Sequence, residues 1–283
     1  MNYFNSNPLT KENLALKGGT AINLTILDIP RLSVDIDLDL NKNCNRDEML
    51  KTRVLIDEDI RRYIKTNNYE LSDRSKFYHA LDSYVISYTN LGGTKDNIKI
   101  ELNYMDRCHI LCPRVRKVTS LVNENDYQVL SLDPIEIYAS KISALYNRAA
   151  ARDLYDVYNM ITQNIIDSSN VELLRKCSIF YLSMSNNENE NVLEKTNIDS
   201  ITQHMIRTNL LPVLHNASEF NVEKAKETVN DYFNSIMVLT KNEKEYLNKL
   251  KEKQYCPELL FDDADIINRI KNHPMMLWMI RNK

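Results

Sequence analysis

The stretch of residues 34–40, VDIDLDL, alternates strictly between aliphatic and acidic residues. In an extended strand successive side chains point to opposite faces, so Asp35, Asp37 and Asp39 share one face and the aliphatic residues share the other. The pattern therefore predicts a strand with an apolar face against a core and a row of carboxylates on the opposite face.

Length and composition limit what surrounds this strand. The chain has 283 residues, 43% of them hydrophobic and 27% charged, which suits a globular protein of one large domain or of two units of ordinary size. No apolar stretch approaches the roughly 20 residues that cross a bilayer, and the amino terminus lacks the basic start and apolar centre of a signal peptide. We therefore expect a cytoplasmic protein without membrane contact.

The four glycines occur as two pairs. Gly92 and Gly93 lie between two runs of β-branched and aromatic residues, which predicts a hairpin turn. Gly18 and Gly19 follow an apolar run and precede a segment whose apolar spacing suits a short helix. This pair predicts a strand-to-helix turn whose exposed backbone N–H groups can hold a phosphate.

The two halves of the chain differ in pattern. Residues 13–104 alternate between strand and helix signals, whereas the chain becomes helical from Asp133, a plausible N-cap followed by Pro134. Residues 135–161 carry apolar residues at helical spacing, and residues 183–197 predict an exposed loop. We expect an α+β fold, with a mixed sheet and helices in residues 1–125 and a helical domain in residues 126–283.

A glycine turn, a short helix and a strand ending in D-x-D form the layout expected of a metal-dependent nucleotidyltransferase. Asp35 and Asp37 can hold one or two Mg²⁺ ions, which prefer hard oxygen ligands and bridge triphosphate oxygens. Glu101 is the candidate third ligand because it alternates with Ile100 and Leu102, and Asp39 is its rival. The alternative is the solvated face of an edge strand, which the preceding Gly18 and Gly19 disfavour.

Two segments resemble motifs of one protein family. LKGGTAINLTILDIPRLSVDIDLDL, residues 16–40, is similar to the first motif of the AbiEii/AbiGii-type toxins, bacterial nucleotidyltransferase-like proteins of abortive-infection and toxin–antitoxin systems. KISALYNRAAARDLYDVYNM, residues 141–160, resembles their later motif, a lysine followed by R-D-x-x-D. From about residue 165 the resemblance extends only to length and helical class.

The resemblance implies a fold of the DNA polymerase β-like nucleotidyltransferase superfamily, with Mg²⁺ at the D-x-D and a helical second half framing the cleft. It also implies site residues. Phosphate would be held by Gly18, Gly19 and Thr20, metal by Asp35 and Asp37, and the triphosphate by Lys141, with Asp153 or Asp156 orienting or deprotonating the acceptor hydroxyl.

Further candidates surround these residues. Lys141, Arg148 and Arg152 have helical spacings of seven and four, which predicts a cationic stripe facing the triphosphate. The alternative is a solvated helix face with Asp–Arg pairs. Ser33 would point its hydroxyl into the site, where phosphorylation silences some members of the family, or it would be a strand-edge serine in solvent.

By this resemblance the chain is a toxin that moves a nucleoside monophosphate from an NTP to the 3′ end of tRNA, which blocks translation, and it has a cognate antitoxin protein. Two alternatives stay open: a module that sequesters GTP or a protein without transfer, and a nucleotidyltransferase that modifies small molecules such as antibiotics. The net charge of −3 excludes a general polyanion binder, but the cations within residues 107–117 favour a local RNA contact.

Overall fold

The computed structural model describes residues 2–28, 31–33, 35–118, 127–185, 197–214 and 220–282. The chain forms two compact units. The sheet unit contains Met1–Asp28 and Ser33–Leu132, and the helical unit contains Ile29–Leu32 and Asp133–Lys283. The division falls after Leu132, later than the boundary expected after residue 125, because a further strand, Gln128–Ser131, joins the sheet.

The described residues of the sheet unit form four helices and eight strands. In chain order these are α1 (Asn2–Ser6), α2 (Pro8–Asn13), β1 (Leu14–Lys17), α3 (Gly18–Thr25), β2 (Ile36–Leu40), α4 (Arg46–Thr66), β3 (Glu70–Leu71), β4 (Lys76–Phe77), β5 (Leu81–Thr89), β6 (Lys95–Asn103), β7 (Arg114–Lys117) and β8 (Gln128–Ser131).

The strands form one mixed sheet in the order β3-β5-β6-β2-β1-β8-β7, and β4 pairs with β5. β2 is antiparallel to β1 and parallel to β6, so the predicted acidic strand lies in the interior of the sheet. Asn90 and Thr94 are hydrogen-bonded in the turn between β5 and β6, which confirms the hairpin predicted at Gly92 and Gly93.

The sheet separates apolar from polar side chains, as the alternation of β2 predicts. Leu38 lies between Leu16 of β1 and Leu102 of β6, and all three are buried. Residues one position away belong to the opposite face, where Asp37 lies between Lys17 and Glu101. Burial of each leucine contributes about 1.5–3 kcal/mol, so the apolar face fixes the register that brings these polar residues side by side.

The described residues of the helical unit form eight α-helices and pair as strands only at a single bridge between Arg31 and Leu214. The helices are α5 (Pro134–Arg148), α6 (Ala151–Thr162), α7 (Val171–Ser183), α8 (Gln203–Asn209), α9 (Val222–Ile236), α10 (Lys241–Lys251), α11 (Ala264–Ile270) and α12 (Pro274–Asn282).

Large buried side chains from these helices form a core that includes Tyr138, Phe180, Phe233 and Tyr246. Most of the loop expected at residues 183–197 lies outside the described residues. In the described part of the chain, no helix combines the length and the apolar character needed to span a membrane.

The helical run predicted over residues 135–161 is two helices. Asp133 accepts a hydrogen bond from the Ile135 N–H and caps α5, as predicted. At Ala149 the backbone turns into the left-handed region, with φ of 46°, and the Ala149 N–H bonds the Leu145 carbonyl. Arg148 and Arg152 therefore lie on different helices, and the prediction that they share one helix face is wrong.

Candidate functional site

The predicted strand-to-helix turn is present between β1 and α3, and it lies against Asp37. Gly18 has φ of +69°, and a Cβ atom at this position would lie 2.5 Å from Asp37 Oδ2. Only glycine allows the backbone to come this close to the carboxylate. Since the first N–H groups of a helix have no partner within it and carry its positive dipole end, the start of α3 favours an anionic ligand.

Asp37 and Glu101 are neighbours on adjacent strands. They are Cα partners in the parallel pairing of β2 with β6, so their side chains leave the same face of the sheet. Asp35 precedes the first residue of β2 and follows the two-residue spacing of that face. We call Asp35, Asp37 and Glu101 the acidic face.

A lysine accompanies the acidic face. Lys99 is two residues before Glu101 on β6, and its Nζ lies 2.7 Å from Glu101 Oε1. The hydrogen bond to Glu101 and the charges of Asp35 and Asp37 raise the pKa of Lys99. Sequence reasoning missed this residue, although its spacing from Glu101 is the same period-two signal that selected the acids.

Asp39 has a different environment from the other acids of the row. Its side chain is 2% exposed, and Lys17 Nζ lies 2.5 Å from Asp39 Oδ1 and 3.8 Å from Asp106 Oδ2. Burial alone would lower the pKa of Lys17, but the negative charge of Asp39 raises it above its usual range. Asp39 is thus buried in an ion pair with Lys17, whereas the side chain of Glu101 is 28% exposed, so the structure favours Glu101 over Asp39 as a metal ligand.

Thr20 and Ser33 lie beside the acidic face. The buried Thr20 hydroxyl donates a hydrogen bond to the Asp35 carbonyl oxygen and lies 3.1 Å from Ser33 Oγ. Ser33 itself precedes β2, which begins at Ile36. Thr20 therefore holds the chain segment that leads into β2.

A second cluster of charged residues lies within the helical unit. Lys141 of α5 places its Nζ 2.9 Å from Asp153 Oδ1 and 3.0 Å from Asp156 Oδ2, both on α6. Both carboxylates are buried, and Lys141 is 9% exposed. Arg148 Nε lies 2.8 Å from Asp153 Oδ2. With Arg31, these four residues form what we call the ion-pair cluster.

Arg31 is the member of this cluster that sequence reasoning missed. Its Nε and Nη2 donate hydrogen bonds of 2.7 Å each to the two oxygens of Asp156, and its side chain is buried. The neighbouring Leu32 N–H bonds the Val213 carbonyl oxygen at 2.7 Å. Arg31 and Asp156 are 125 residues apart, so no local spacing could indicate the pair.

The ion pairs of Asp153 and Asp156 bear on the predicted role of these acids in deprotonating the acceptor hydroxyl. Burial alone would raise the pKa of Asp153, but the charges of Lys141 and Arg148 lower it. Asp156 is likewise held by Lys141 and Arg31. Asp153 is therefore a weak proton acceptor. Because each of the two carboxylates is held by two cations, the geometry favours a positioning role for both acids.

The other cationic side chains predicted to bind the triphosphate or RNA do not form one cluster in the described residues. Arg152 donates a hydrogen bond to the Asn209 carbonyl oxygen, away from the predicted stripe. In the basic segment 107–117, Arg107 is buried and bonds the carbonyl oxygens of Cys44 and Tyr104. Arg114 and Lys117 are exposed on β7, the end strand of the sheet. The predicted basic surface is thus reduced to β7.

The acidic face is suited to a divalent cation that the substrate helps to bind. Within the described ranges, no three His, Cys, Asp or Glu side chains are grouped so that they alone could hold a metal ion. Mg²⁺ in nucleotide enzymes commonly takes one or two carboxylates and completes its shell with phosphate oxygens and water. Asp35 and Asp37 fit this donor set, because both supply carboxylate oxygens and the absence of a Cβ atom at Gly18 lets the start of α3 lie close to Asp37 Oδ2.

Comparisons with known proteins identify a family and a similar solved structure. Residues 3–240 match the family described as nucleotidyl transferase AbiEii toxin, type IV toxin–antitoxin system. A sequence comparison with curated proteins gives no match. Among solved structures, the chain is similar to MenT4, a nucleotidyltransferase toxin from Mycobacterium tuberculosis H37Rv, with a TM-score of 0.62 and 15% identity over 97% of this chain and 89% of that chain. At this identity the likeness concerns the fold, and it confirms the predicted α+β class.

Proposed function

The chain belongs to the AbiEii family of nucleotidyltransferase toxins of type IV toxin–antitoxin systems, and we propose that it transfers a nucleoside monophosphate from an NTP to the 3′ end of tRNA with Mg²⁺ held by Asp35 and Asp37. The observation that carries the proposal is the position of Gly18, at the start of α3, where a Cβ atom would lie 2.5 Å from the Asp37 carboxylate. It brings helix N–H groups, which favour phosphate, beside an acid that can bind a metal.

In the proposed reaction the oxygen of the acceptor hydroxyl forms a bond to the α-phosphorus of the NTP. The bond from this phosphorus to the oxygen bridging to the β-phosphate breaks, pyrophosphate leaves with the electron pair, and the hydroxyl proton passes to solvent. A bound Mg²⁺ would supply positive charge that offsets the charge of the triphosphate. The N–H groups at Gly18 and Gly19 would bind phosphate oxygens, and Asp35 and Asp37 would hold the cation.

The proposed roles of the ion-pair cluster differ from those expected from sequence. We propose that Asp153 and Asp156 position Lys141 and Arg148 rather than accept the hydroxyl proton, because each carboxylate is held by two cations. The triphosphate contact of Lys141 stays a prediction from the family resemblance. An increased KM for NTP in Lys141→Met, with rescue by Lys141→Arg, would support it.

The tRNA acceptor is supported by charge and by biological setting. β7 carries three cations in four residues, and Arg114 and Lys117 are exposed. In a chain with a net charge of −3, such a strand can attract the backbone of a nucleic acid locally. A nucleotide added to the 3′ end of tRNA would block aminoacylation in the cytoplasm, which suits a toxin, and we expect a cognate antitoxin protein to restrain it.

The test incubates the purified protein with Mg²⁺, each α-labelled NTP in turn and total bacterial tRNA. We expect label on the RNA, lost in the double variant Asp35→Asn, Asp37→Asn. The matched control is Asp96→Asn, which removes an exposed acid at the other end of β6.

Three results would contradict parts of the proposal. Label on proteins or small molecules but not on RNA would overturn the tRNA acceptor. Nucleotide binding without transfer to any acceptor would favour the binding module. Full activity in the double variant would overturn the assignment of Asp35 and Asp37.

A further inference from the structure

Lys99 places a positive charge on the acidic face. Its Nζ lies 2.7 Å from Glu101 Oε1, and the charges of Asp35 and Asp37 also act on it. Glu101 in turn is the register partner of Asp37. The ammonium group is therefore bound by one acid and attracted by the two others.

An ammonium group and a divalent cation compete for such a face. Both are attracted by the same carboxylate charges, and they repel each other at short distance. Lys99 is tethered to β6 by its own side chain, so its effective concentration beside Glu101 is high and independent of the metal concentration. A free divalent cation must displace this contact before it can use Glu101.

The NTP changes this balance. A triphosphate brings negative charge that can receive the Lys99 ammonium, since lysine is a common phosphate ligand. The side chain is partly exposed and flexible, so it can turn from Glu101 to a phosphate without a change in the backbone. A metal–nucleotide complex thus offers Lys99 a new partner, whereas a free metal ion does not.

We propose that Lys99 is the resident counter-ion of the acidic face, which lowers the affinity of the protein for free divalent cations and makes metal binding depend on the nucleotide. The inference rests on the proposed function, because it requires that Asp35 and Asp37 hold the metal. It adds that Glu101 becomes available only when Lys99 moves to the substrate.

The test measures binding of Mn²⁺ alone, from the loss of the free-ion electron paramagnetic resonance signal, in the full chain. Because the repulsion between the ammonium group and the metal ion is removed, Lys99→Met should bind Mn²⁺ about tenfold more tightly than the wild type, and Lys99→Arg should match the wild type. Lys95→Met is the control, because Lys95 lies on the same strand, is exposed and pairs with Glu70. It removes the same charge and should leave the affinity unchanged.

A second titration uses Mn²⁺ with a non-hydrolysable NTP analogue. In the presence of the analogue, Lys99→Met should bind Mn²⁺ no more tightly than the wild type, or less tightly, because the variant lacks the phosphate contact. Equal or weaker binding of free Mn²⁺ by Lys99→Met, or no Mn²⁺ binding by any variant, would overturn the inference.

The two proposals fail in different ways. If Lys99→Met binds Mn²⁺ tightly and continues to do so after Asp35→Asn and Asp37→Asn are added, the metal is not at the acidic face and the proposed metal site is wrong. If Asp35 and Asp37 are needed for Mn²⁺ binding and for tRNA labelling but Lys99 has no effect, only the inference about Lys99 is wrong.

Discussion

Gly18 must be glycine for two physical reasons that a matched pair of substitutions can separate. Its backbone is left-handed, and its α-carbon faces Asp37 so closely that a Cβ atom would meet Oδ2 at 2.5 Å. Gly93 shares the first property, with φ of +78°, but a Cβ atom there would have nothing within 4 Å. The first property affects stability, and the second affects the geometry of the acidic face.

We expect Gly18→Ala and Gly93→Ala each to lower the free energy of unfolding by about 1–2 kcal/mol, because alanine is strained at positive φ. Only Gly18→Ala should also lower the rate of nucleotide transfer, by about 10²-fold, since it displaces the Asp37 carboxylate. Urea unfolding and the tRNA-labelling assay measure the two effects. Equal loss of transfer in both variants would show that strain alone causes it.

Asp153 supplies a prediction about pH. Its folded-state pKa is lower than the ordinary aspartate value of 3.8, so its ion pairs stabilise the protein above that pH and are lost as the pH falls through the folded value. Asp153→Asn should therefore lower the free energy of unfolding by about 3–5 kcal/mol at pH 7, and the difference from the wild type should shrink below pH 3.8.

Urea unfolding at pH 7 and at pH 3 checks this expectation. Asp231→Asn is the control, because Asp231 is an exposed residue of α9 in the same unit. It should change stability little at either pH. A difference for Asp153→Asn that is the same at both pH values would mean that ionisation of Asp153 is not the cause.

At this scale the sequence predicts which residues share a face but not which of them are paired. The alternation of β2 correctly separates its acids from its aliphatic residues. Whether an acid is available depends on partners from elsewhere: Lys17 of β1 binds Asp39, whereas Lys99 of β6 binds Glu101. Such pairings follow from strand order, which a local pattern does not contain.

At the scale of elements, the break between α5 and α6 shows the limit of helical periodicity. Residues 149–151 are three alanines, the residue type with the highest helix propensity, yet Ala149 ends α5 in a left-handed conformation. The break lets Lys141 and Arg148 of α5 meet Asp153 of α6. Tertiary ion pairing here overrides local preference, so the sequence pattern predicted one helix where there are two.

Ala149→Gly should stabilise the protein by about 0.5–1 kcal/mol, because glycine adopts positive φ without the steric cost that alanine has. Ala139→Gly is the comparison, since Ala139 lies inside α5, and it should destabilise by about 1 kcal/mol. Thermal unfolding of both variants measures the difference. A destabilised Ala149→Gly variant would contradict the left-handed C-terminus of α5.

The sequence predicts β1, β2, β5 and β6 but not β7 and β8. β5 and β6 have nine residues each and flank a glycine turn, so their pattern is clear. β7 and β8 have four residues each and gain stability from pairing with one another and with β1, so the sequence alone did not indicate them. The basic segment predicted at residues 107–117 ends on one of these strands.

At the scale of the whole molecule, Arg31 fixes the segment in which the chain leaves the sheet unit and returns to it. The chain leaves the sheet unit after Asp28, contributes residues 29–32 to the helical unit, and returns to the sheet unit at Ser33. The bidentate hydrogen bonds from Arg31 to Asp156 and the β-bridge between Arg31 and Leu214 fix this segment within the helical unit. Both partners are buried, and Asp156 receives its charge compensation from Arg31 together with Lys141.

Arg31→Met should lower the free energy of unfolding by about 3–5 kcal/mol, because it leaves part of a buried negative charge uncompensated. The double variant Arg31→Met, Asp156→Asn should lose less than the sum of the two single changes, with a coupling energy of about 0.5–3 kcal/mol. The exposed pair Lys95 and Glu70, tested in the same way, should couple by less than about 1 kcal/mol. Additive effects at Arg31 and Asp156 would show that the pair is not coupled.

The assignment of residues 29–32 to the helical unit also limits which segments of the gene can be exchanged by recombination. The chain passes from one unit to the other at three points, after residues 28, 32 and 132. A gene cut only at the last of these points would give fragments in which Arg31 and Asp156 are encoded separately. Recombination that replaced residues 133–283 with those of a relative would keep Arg31 but replace Asp156. The new segment would therefore need an acid that pairs with Arg31, so we expect the two parts of the gene to be inherited together.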